Sequence, residues 1–554
     1  MKKTTTLLLT ALLLVSIAGC GNNATTNDSA KNTTDSSSTS KSSKSSTTST
    51  TTEVTPISIS AEDSDSSWDE NTATKIVLGE SISVDGNGAS VASNVVTITT
   101  TGTYVVSGSI SDGQILVNAT KDDVVHLVLN GTQITNTSGA PIYAPQCDKL
   151  IVTLANGTQN TITDGGSGFT YADTTEEEPN AALFSKDDLS INGTGALTVN
   201  AGFNNGIGTK DDLIIAGGTF TINAANHGIR GNDSVAIADG TFTINAKGKG
   251  IVTHNEEKGT MDIKGGTFTI DSEDDSLHST GNLILSGGTF TLASGDDGVH
   301  ADGTLAISDG NINVAKSYEG LEGSDINISG GTIVVHATDD GINAAGGSDG
   351  NVEGGSFGKD VFRSDSSHTM TISGGVVTVY SGSDGLDSNG TLAVSGGTVA
   401  VFINAPRDGD ATDTDNGGTI LPALYGNTTI KSGTQIAVGD WSIVAEADAT
   451  SFCLILPGLV NGQNYSITAN GAELSNVTAT TTIAGMDGGR NAGGIGGGPG
   501  RGGADGAEKG TPPGDAAPDG STKPTPPSGN SSDGSTKASG KTSDGTVKKS
   551  GGTN

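Results

Sequence analysis

The sequence predicts an all-β chain wound as a right-handed parallel β-helix, a solenoid of about 22 residues per rung, and three observations carry the prediction. A unit reading Leu213-Ile214-Ile215-Ala216-Gly217-Gly218-Thr219-Phe220-Thr221-Ile222 recurs along the middle of the chain at a near-constant interval, the mark of stacked coils. Within the unit, apolar and polar residues alternate with a period of two, as half-buried strands do. The unit is rich in Gly, Thr and Val and has no 3.6-residue apolar period, which excludes helical repeats.

The unit returns at 261–270, 283–292, 326–335, 370–379 and 392–401, and with Asp-Gly in place of Gly-Gly at 235–244 and 305–314. Successive units lie 22, 26, 22, 22, 21, 44 and 22 residues apart; the 44 reads as two periods, the 26 as one period with a short insertion near Glu256. Alternation sends Leu213, Ile215, Phe220 and Ile222 inward and Ile214, Thr219 and Thr221 outward, giving two short strands on either side of a Gly-Gly bend. A third inward position follows a polar turn: Ile207, Ile229, Ile251, Leu277, Val299, Leu321, Ile342 and Leu386. Three inward stretches per repeat make a triangular rung, each strand pairing with its counterpart about 4.8 Å away in the next. Like side chains then stack, as in the column Phe220, Phe242, Phe268 and Phe290.

The flanks read differently. Lys2 and Lys3 precede the apolar run Leu7 to Ile17, too short to span a bilayer, and Ile17-Ala18-Gly19-Cys20 resembles the lipobox of bacterial lipoproteins. Residues 1–20 are therefore expected to be a lipoprotein signal peptide, with Cys20 the lipidated thiol and the mature chain exported and anchored to the outer face of the bacterial cell membrane. Residues 21–66, mostly Ser, Thr, Asn, Asp and Lys, read as a disordered linker. Residues 67–186 keep strand chemistry, as in Thr103-Tyr104-Val105-Val106-Ser107, without the tidy period; they read as irregular opening rungs and a cap. Residues 187–430 form the regular coil, 431–487 a closing β cap, and 488–554 a Gly/Pro/Ser-rich disordered tail without the collagen period. Cys147 and Cys453, far apart in the coil, read as buried unpaired thiols.

With 28 Lys and Arg against 62 Asp and Glu, the formal charge is −34, which opposes DNA, RNA and anionic membrane surfaces and suits cations or neutral polymers. Acidic residues gather around the third strand of the rung. They are Asp274 and Asp275, Asp296 and Asp297, Glu319 and Glu322, Asp339 and Asp340, then Asp384 and Asp387. Stacking would place Asp275, Asp297, Glu319 and Asp340 in one column and His278, His300, Glu322 and Asn343 in the next. Carboxylates about 5 Å apart repel by several kcal/mol at intermediate dielectric, so such a ladder should hold protons or bind cations. Ca²⁺, a hard ion with six to eight oxygen ligands, fits that donor set. Asp-Gly and Asn-Gly are also ordinary turn residues, so solvated turns copied by duplication account for the same pattern. Against duplication alone, the earlier rungs carry His227, Arg230, Lys249 and Val252 at the matching places. His278 and His300 also admit a transition metal.

The stretches Gly102-Thr103-Tyr104-Val105-Val106-Ser107-Gly108, Asp112-Gly113-Gln114-Ile115, Val128-Leu129-Asn130-Gly131 and Ala140-Pro141-Ile142, followed by repeated Gly-Gly-Thr-Phe and Asp-Asp-Gly, resemble the bacterial carbohydrate-binding parallel β-helix proteins over about residues 75 to 480. The resemblance implies an exported, pectate-lyase-like coil that binds plant cell-wall polysaccharide, such as pectin or cellulose, with Ca²⁺ at Asp275, Asp297, Glu319 and Asp340. The chain departs from it at Ser276, where other units have Gly, and in the irregular stretch Gly347 to Ser367.

The function expected is therefore non-catalytic binding of an extracellular polysaccharide by a monomer. A surface adhesin or spacer without a sugar site, and a Ca²⁺-dependent polysaccharide lyase, are the alternatives. A lyase needs a base above a Ca²⁺-bound uronate; Arg230 and Arg363 are candidates, and neither sits in a catalytic signature. Tyr318 and Tyr380 are the rings expected at the surface, with packing an equal alternative for both, and Thr219, Thr241, Thr267 and Thr289 are the hydroxyl row expected to face a polymer.

Overall fold

Pairing of like with like builds the coil. In the computed structural model of the protein, which describes residues 54–345, 367–405 and 409–484, Leu213 pairs with Val235, Val235 with Met261, Met261 with Leu283 and Leu283 with Leu305, all in parallel. The result is an all-β parallel solenoid of about 13 turns. Each rung has three walls. The first is made by strands such as Asp212–Ile215 and Ser234–Ile237, the second by Thr219–Ala224, Thr241–Ala246 and Thr267–Ser272, and the third by Ile229–Gly231, Ile251–Thr253 and Leu277–Ser279. Inward residues of all three walls form one continuous apolar core.

The second wall holds the aromatic column. Phe220, Phe242, Phe268 and Phe290 stack with ring centroids 4.9, 4.7 and 4.7 Å apart. The bend between the first two walls needs glycine at its second position. Gly218, Gly240, Gly266 and Gly288 have φ of 120°, 144°, 106° and 99°, and a Cβ on Gly240 would meet the Phe242 ring at 2.7 Å.

The interval of 44 residues is not two rungs. Ile326 pairs directly with Met370, Ile333 with Val377 and Ile342 with Leu386, so all three walls step across it together. The extra chain falls between Ala344 and His368, and residues 346–366 lie outside the described part, Arg363 among them. A turn between walls can lengthen because loop closure costs little more as a loop grows, and this stretch carries no copy of the strand unit.

The opening segment is more regular than its sequence. Val96 pairs with Ile115, Leu127 with Val152 and Ile162 with Val199, each in parallel, so the three walls are already running, with register shifts at Val106/Gly108 and Leu116/Asn118. Antiparallel pairs finish this end, Thr74–Leu78 with Ser83–Asp85 and Ala89–Ala92 with Val95–Ile98. The linker read over 21–66 stops short. A helix, Ala61–Ser64, is capped by Ser60, and its Asp63 is buried, accepting from Ser190 Oγ at 2.7 Å and pairing with Lys149 Nζ at 2.9 Å. Asn192 Nδ2 donates to the carbonyls of Asp63 and Asp65, and Ile57 N donates to Asp262 Oδ2 at 2.7 Å. Polar composition hid this strap because its partners are polar groups on the outside of the first wall.

At the far end, Ala449–Ile455 pairs antiparallel with Thr398–Ile403, and Gln435–Val438, Trp441–Val444, Asn464–Ala469 and Ala472–Thr478 form a separate antiparallel sheet. This cap buries outward residues of the last rungs. Tyr380, expected at the surface, is instead 4% exposed, stacked 4.7 Å from His336 and 5.3 Å from Phe402 in a cluster with Ile436 and Ile467. Tyr318 is half-buried. Cys147 and Cys453 are buried and unpaired, with burial pushing both thiols up to about 12.

Candidate functional site

The turns before the third wall stack through their backbones. Gly250 N donates to Asp275 O, Ser276 N to Asp297 O, Gly298 N to Glu319 O and Gly320 N to Asp340 O, at 2.8 to 3.1 Å. The column continues to Asp384 and Asp410 and reaches back through Lys249 to His227, whose carbonyls accept from Gly228 N and Gly206 N. Beside it, strand register sets His278 against His300, His300 against Glu322, Glu322 against Asn343 and Asn343 against Asp387. These side chains point outward from the coil, yet Asp275, His278, Asp297, His300, Glu319, Glu322 and Asn343 are all buried.

The ladder falls into two stretches of different chemistry. In the first, Lys249 reaches both Asp274 Oδ1 and Asp275 Oδ2, while His278 Nδ1 lies 2.8 Å from Asp275 Oδ2. Burial works against ionisation of Asp275, but Lys249 and then His278 hold its carboxyl well below the usual range. One rung on, His300 Nδ1 sits 2.9 Å from Asp297 Oδ2 and 2.9 Å from Glu322 Oε2, and its Nε2 sits 3.1 Å from Asp302 Oδ1. Burial opposes a charge on His300, but Glu322, Asp297 and Asp302 hold the imidazole well above its ordinary value. Burial, then Glu322 and Asp275, push Asp297 up despite the bond to His300. Glu319 turns to Asn343, accepting from Nδ2 at 3.0 Å, and among the described residues joins no three-ligand group.

The second stretch is all oxygen. Asp340, Asp384 and Asp387 bring carboxylate oxygens within 4.8 Å of one another. Asp340 Oδ1 accepts from Asp384 N at 2.8 Å and Asp384 Oδ1 from Asp410 N at 2.6 Å, so each spends one oxygen on the next rung. Burial pushes Asp340 and Asp384 up to about 6. Burial, then Asp340, Asp384, Asp413 and Asp415, push Asp387 up to about 8. These are the signs of negative charge packed beyond what the protein's own groups neutralise.

Of the other acidic residues singled out, Asp274 and Asp296 come together with Asp275 within 4.8 Å, while Asp339 joins no such group among the described residues. Sequence reasoning missed Asp302, Asp410, Asp413 and Asp415, which the strand unit does not contain. It also missed Lys249 as the neutraliser of Asp275, 26 residues away. A further trio, Asp188, Asp211 and Asp212, lies at the edge of the first wall. Arg230 is half-buried in the third wall, three residues after His227, whose Nδ1 accepts from Lys249 N of the next rung. Cys20 falls outside the described residues.

The second wall offers an open surface instead. Thr219, Thr241, Thr267 and Thr289 are exposed and in register, and so are Thr221, Thr243, Thr269 and Thr291 two positions along. At the edge of this face Asn245 Nδ2 donates to Asn223 Oδ1, and Asn223 Nδ2 to Asn200 Oδ1, at 3.1 and 3.2 Å. These amides, with Lys247, Asp271 and Glu273, line a groove of about 580 Å³.

The family model described as carbohydrate-binding domain-containing protein matches residues 92–365. A carbohydrate-binding domain-containing protein of Acetivibrio thermocellus is 51% identical over 196 residues, 35% of this chain and 68% of that protein. A polysaccharide lyase-like protein from C. thermocellum, solved as a gadolinium derivative, is 40% identical over 42% of this chain and 96% of its own, with a TM-score of 0.41. On the extent and identity of the Acetivibrio match, the chain belongs to the carbohydrate-binding domain-containing family.

Proposed function

We propose that the protein is a non-catalytic binder of extracellular plant cell-wall polysaccharide, pectin or cellulose. In this reading the second wall holds the polymer, Ca²⁺ occupies the acidic turns of the third, and Cys20 carries a lipid anchor on an exported chain. The observation that carries the reading is the double row of exposed threonines with its asparagine-lined groove, on a chain of a carbohydrate-binding family. Hydroxyls and amides both donate and accept, as sugar hydroxyls require. The rows repeat at the rung spacing of about 4.8 Å, so a long polymer makes many weak contacts whose sum gives avidity. Asp340, Asp384 and Asp387 supply the all-oxygen set that Ca²⁺ takes. At −34, the protein repels acidic glycans unless a divalent cation bridges the two.

The full chain should be retained on insoluble cellulose and, only with Ca²⁺, on polygalacturonate. Asn223→Ala with Asn245→Ala should cut retention several-fold without changing the melting temperature by more than a few degrees. Unchanged retention in that variant would remove the second wall from the reading. Failure of wild type to bind any polymer would leave an adhesin or spacer, and new unsaturated ends on the glycan would point to a lyase.

The lipid anchor is tested separately. A fatty-acid analogue fed to cells should label wild type and not Cys20→Ala, and the variant should leave the membrane fraction. Equal labelling of the two would end the claim.

A further inference from the structure

Around His300 the acidic ladder presents donors that are not those of a calcium site, in the groups Asp275, His278, His300 and Asp297, His300, Glu322. We propose that His300, Asp297 and Glu322 bind a borderline divalent transition metal of the zinc class, separately from any Ca²⁺ in the all-oxygen turns. His300 Nδ1, Asp297 Oδ2 and Glu322 Oε2 lie within 4.8 Å of one another, and both nitrogen-to-oxygen distances are 2.9 Å. Donors bound at about 2.0–2.2 Å around a small ion stand about 3 Å apart, so little movement would bring them onto one.

Three further features favour a metal. His300, Glu322 and Asp297 are 0%, 1% and 3% exposed, and Glu322 Oε1 has no hydrogen-bond partner among the described residues. A buried carboxylate oxygen left without a partner is costly, and a cation beside it removes the cost. Charge points the same way: three carboxylates, Asp297, Asp302 and Glu322, surround one imidazole, while Lys249 reaches Asp274 and Asp275 one rung away. Orientation is the third. Asp302 Oδ1 stands 3.1 Å from His300 Nε2, on the far side of the ring from the other two carboxylates. The two atoms make no hydrogen bond, but a carboxylate this near favours the proton on Nε2 by charge, which leaves Nδ1 to face Asp297 and Glu322.

The donor set decides the class of ion. Ca²⁺ takes six to eight oxygens, and an imidazole among three donors is foreign to it. Zinc and its neighbours take imidazole nitrogen and carboxylate oxygen together, commonly with four ligands. His278, whose ring centroid is 4.7 Å from that of His300, supplies the nearest second imidazole. This reading does not depend on glycan binding or on Ca²⁺ in the neighbouring turns.

The test uses the full chain, stripped with chelator and dialysed against one equivalent of Zn²⁺ in the presence of millimolar Ca²⁺. Wild type should retain about one zinc per chain by elemental analysis. X-ray absorption at the zinc edge should show the outer-shell scattering of imidazole. His300→Ala and the near-isosteric Glu322→Gln should each weaken zinc retention at least tenfold while keeping any Ca²⁺-dependent rise in melting temperature. Should His300→Ala fail to fold, Glu322→Gln carries the comparison. The proposal is overturned if wild type loses zinc to Ca²⁺, if the spectrum lacks imidazole, or if folded Glu322→Gln keeps the metal as tightly as wild type. Any of these would leave His300 as an imidazolium held between carboxylates.

Discussion

Phe242→Ala should cost about 3–5 kcal/mol of unfolding free energy in a denaturant titration. The ring is 1% exposed and stacked on both sides, 4.9 Å from Phe220 and 4.7 Å from Phe268. In most cores the neighbours of a lost side chain can move partway into the hole. Here the spacing of rungs is fixed by parallel backbone pairing from Thr241 to Ala246, with partners in both adjacent strands. The hole stays open, and its walls lose their dispersion contacts. Thr243→Ala, one residue on and exposed, should shift stability by no more than about 0.5 kcal/mol. Because each rung touches only its neighbours, the Phe242 variant should also unfold less cooperatively, opening near the damaged rung first. Similar small losses in both variants would show that the column is ornamental and the backbone ladder alone holds the coil.

The same column explains why the coil was legible in the sequence. A parallel coil stacks identical faces, so the Phe, the Gly-Gly bend and the alternating Ile and Leu had to recur at one interval, and recurrence can be counted without a structure. What could not be counted was chain that adds no wall. The 44-residue step equals two periods by arithmetic, but pairing of Ile326 with Met370 shows one rung and an insertion. Contacts made by polar groups on the outside of the coil were hidden as well. Asp63 sits in a stretch that looks like linker, and only Lys149 and Ser190, brought beside it by the first wall, give it a reason to be buried.

The site was legible in one direction only. Stacking of Asp275, Asp297, Glu319 and Asp340 follows from the period alone. Which carboxylates carry unbalanced charge does not, because it depends on groups the repeat does not encode. Lys249, from the preceding rung, neutralises Asp274 and Asp275. Asn343 occupies an oxygen of Glu319. Asp413 and Asp415, beyond the last strand unit, add to the charge on Asp387. Tyr380 failed as a surface ring for a similar reason: its cover comes from the cap, whose strands share nothing with the repeat.

Adding Ca²⁺ should raise the melting temperature, and the rise should grow as pH goes from 5 to 8. A ligand that binds only the folded coil stabilises it by about 2.7 kcal/mol at a hundred times its dissociation constant and about 4.1 at a thousand times. The pH dependence follows from the raised carboxyls of the oxygen-only turn. Asp340 and Asp384 stand at about 6 and Asp387 at about 8, above the ordinary carboxylate value near 3.9 of an unfolded chain. Between those values the folded chain holds more protons than the unfolded one, so without metal these groups make stability fall as pH rises through that window. Ca²⁺ replaces the protons as the neutralising charge and cancels the fall; at pH 5 it must displace them, which weakens its effect. Asp340→Asn with Asp387→Asn should abolish most of the Ca²⁺ response at pH 8 and flatten the metal-free pH profile. Asp211, also raised to about 6 but outside this turn, should keep its own contribution in both proteins and so serves as the internal baseline. A double variant that responds to Ca²⁺ at pH 8 as wild type does would reduce the ladder to turn chemistry repeated by duplication.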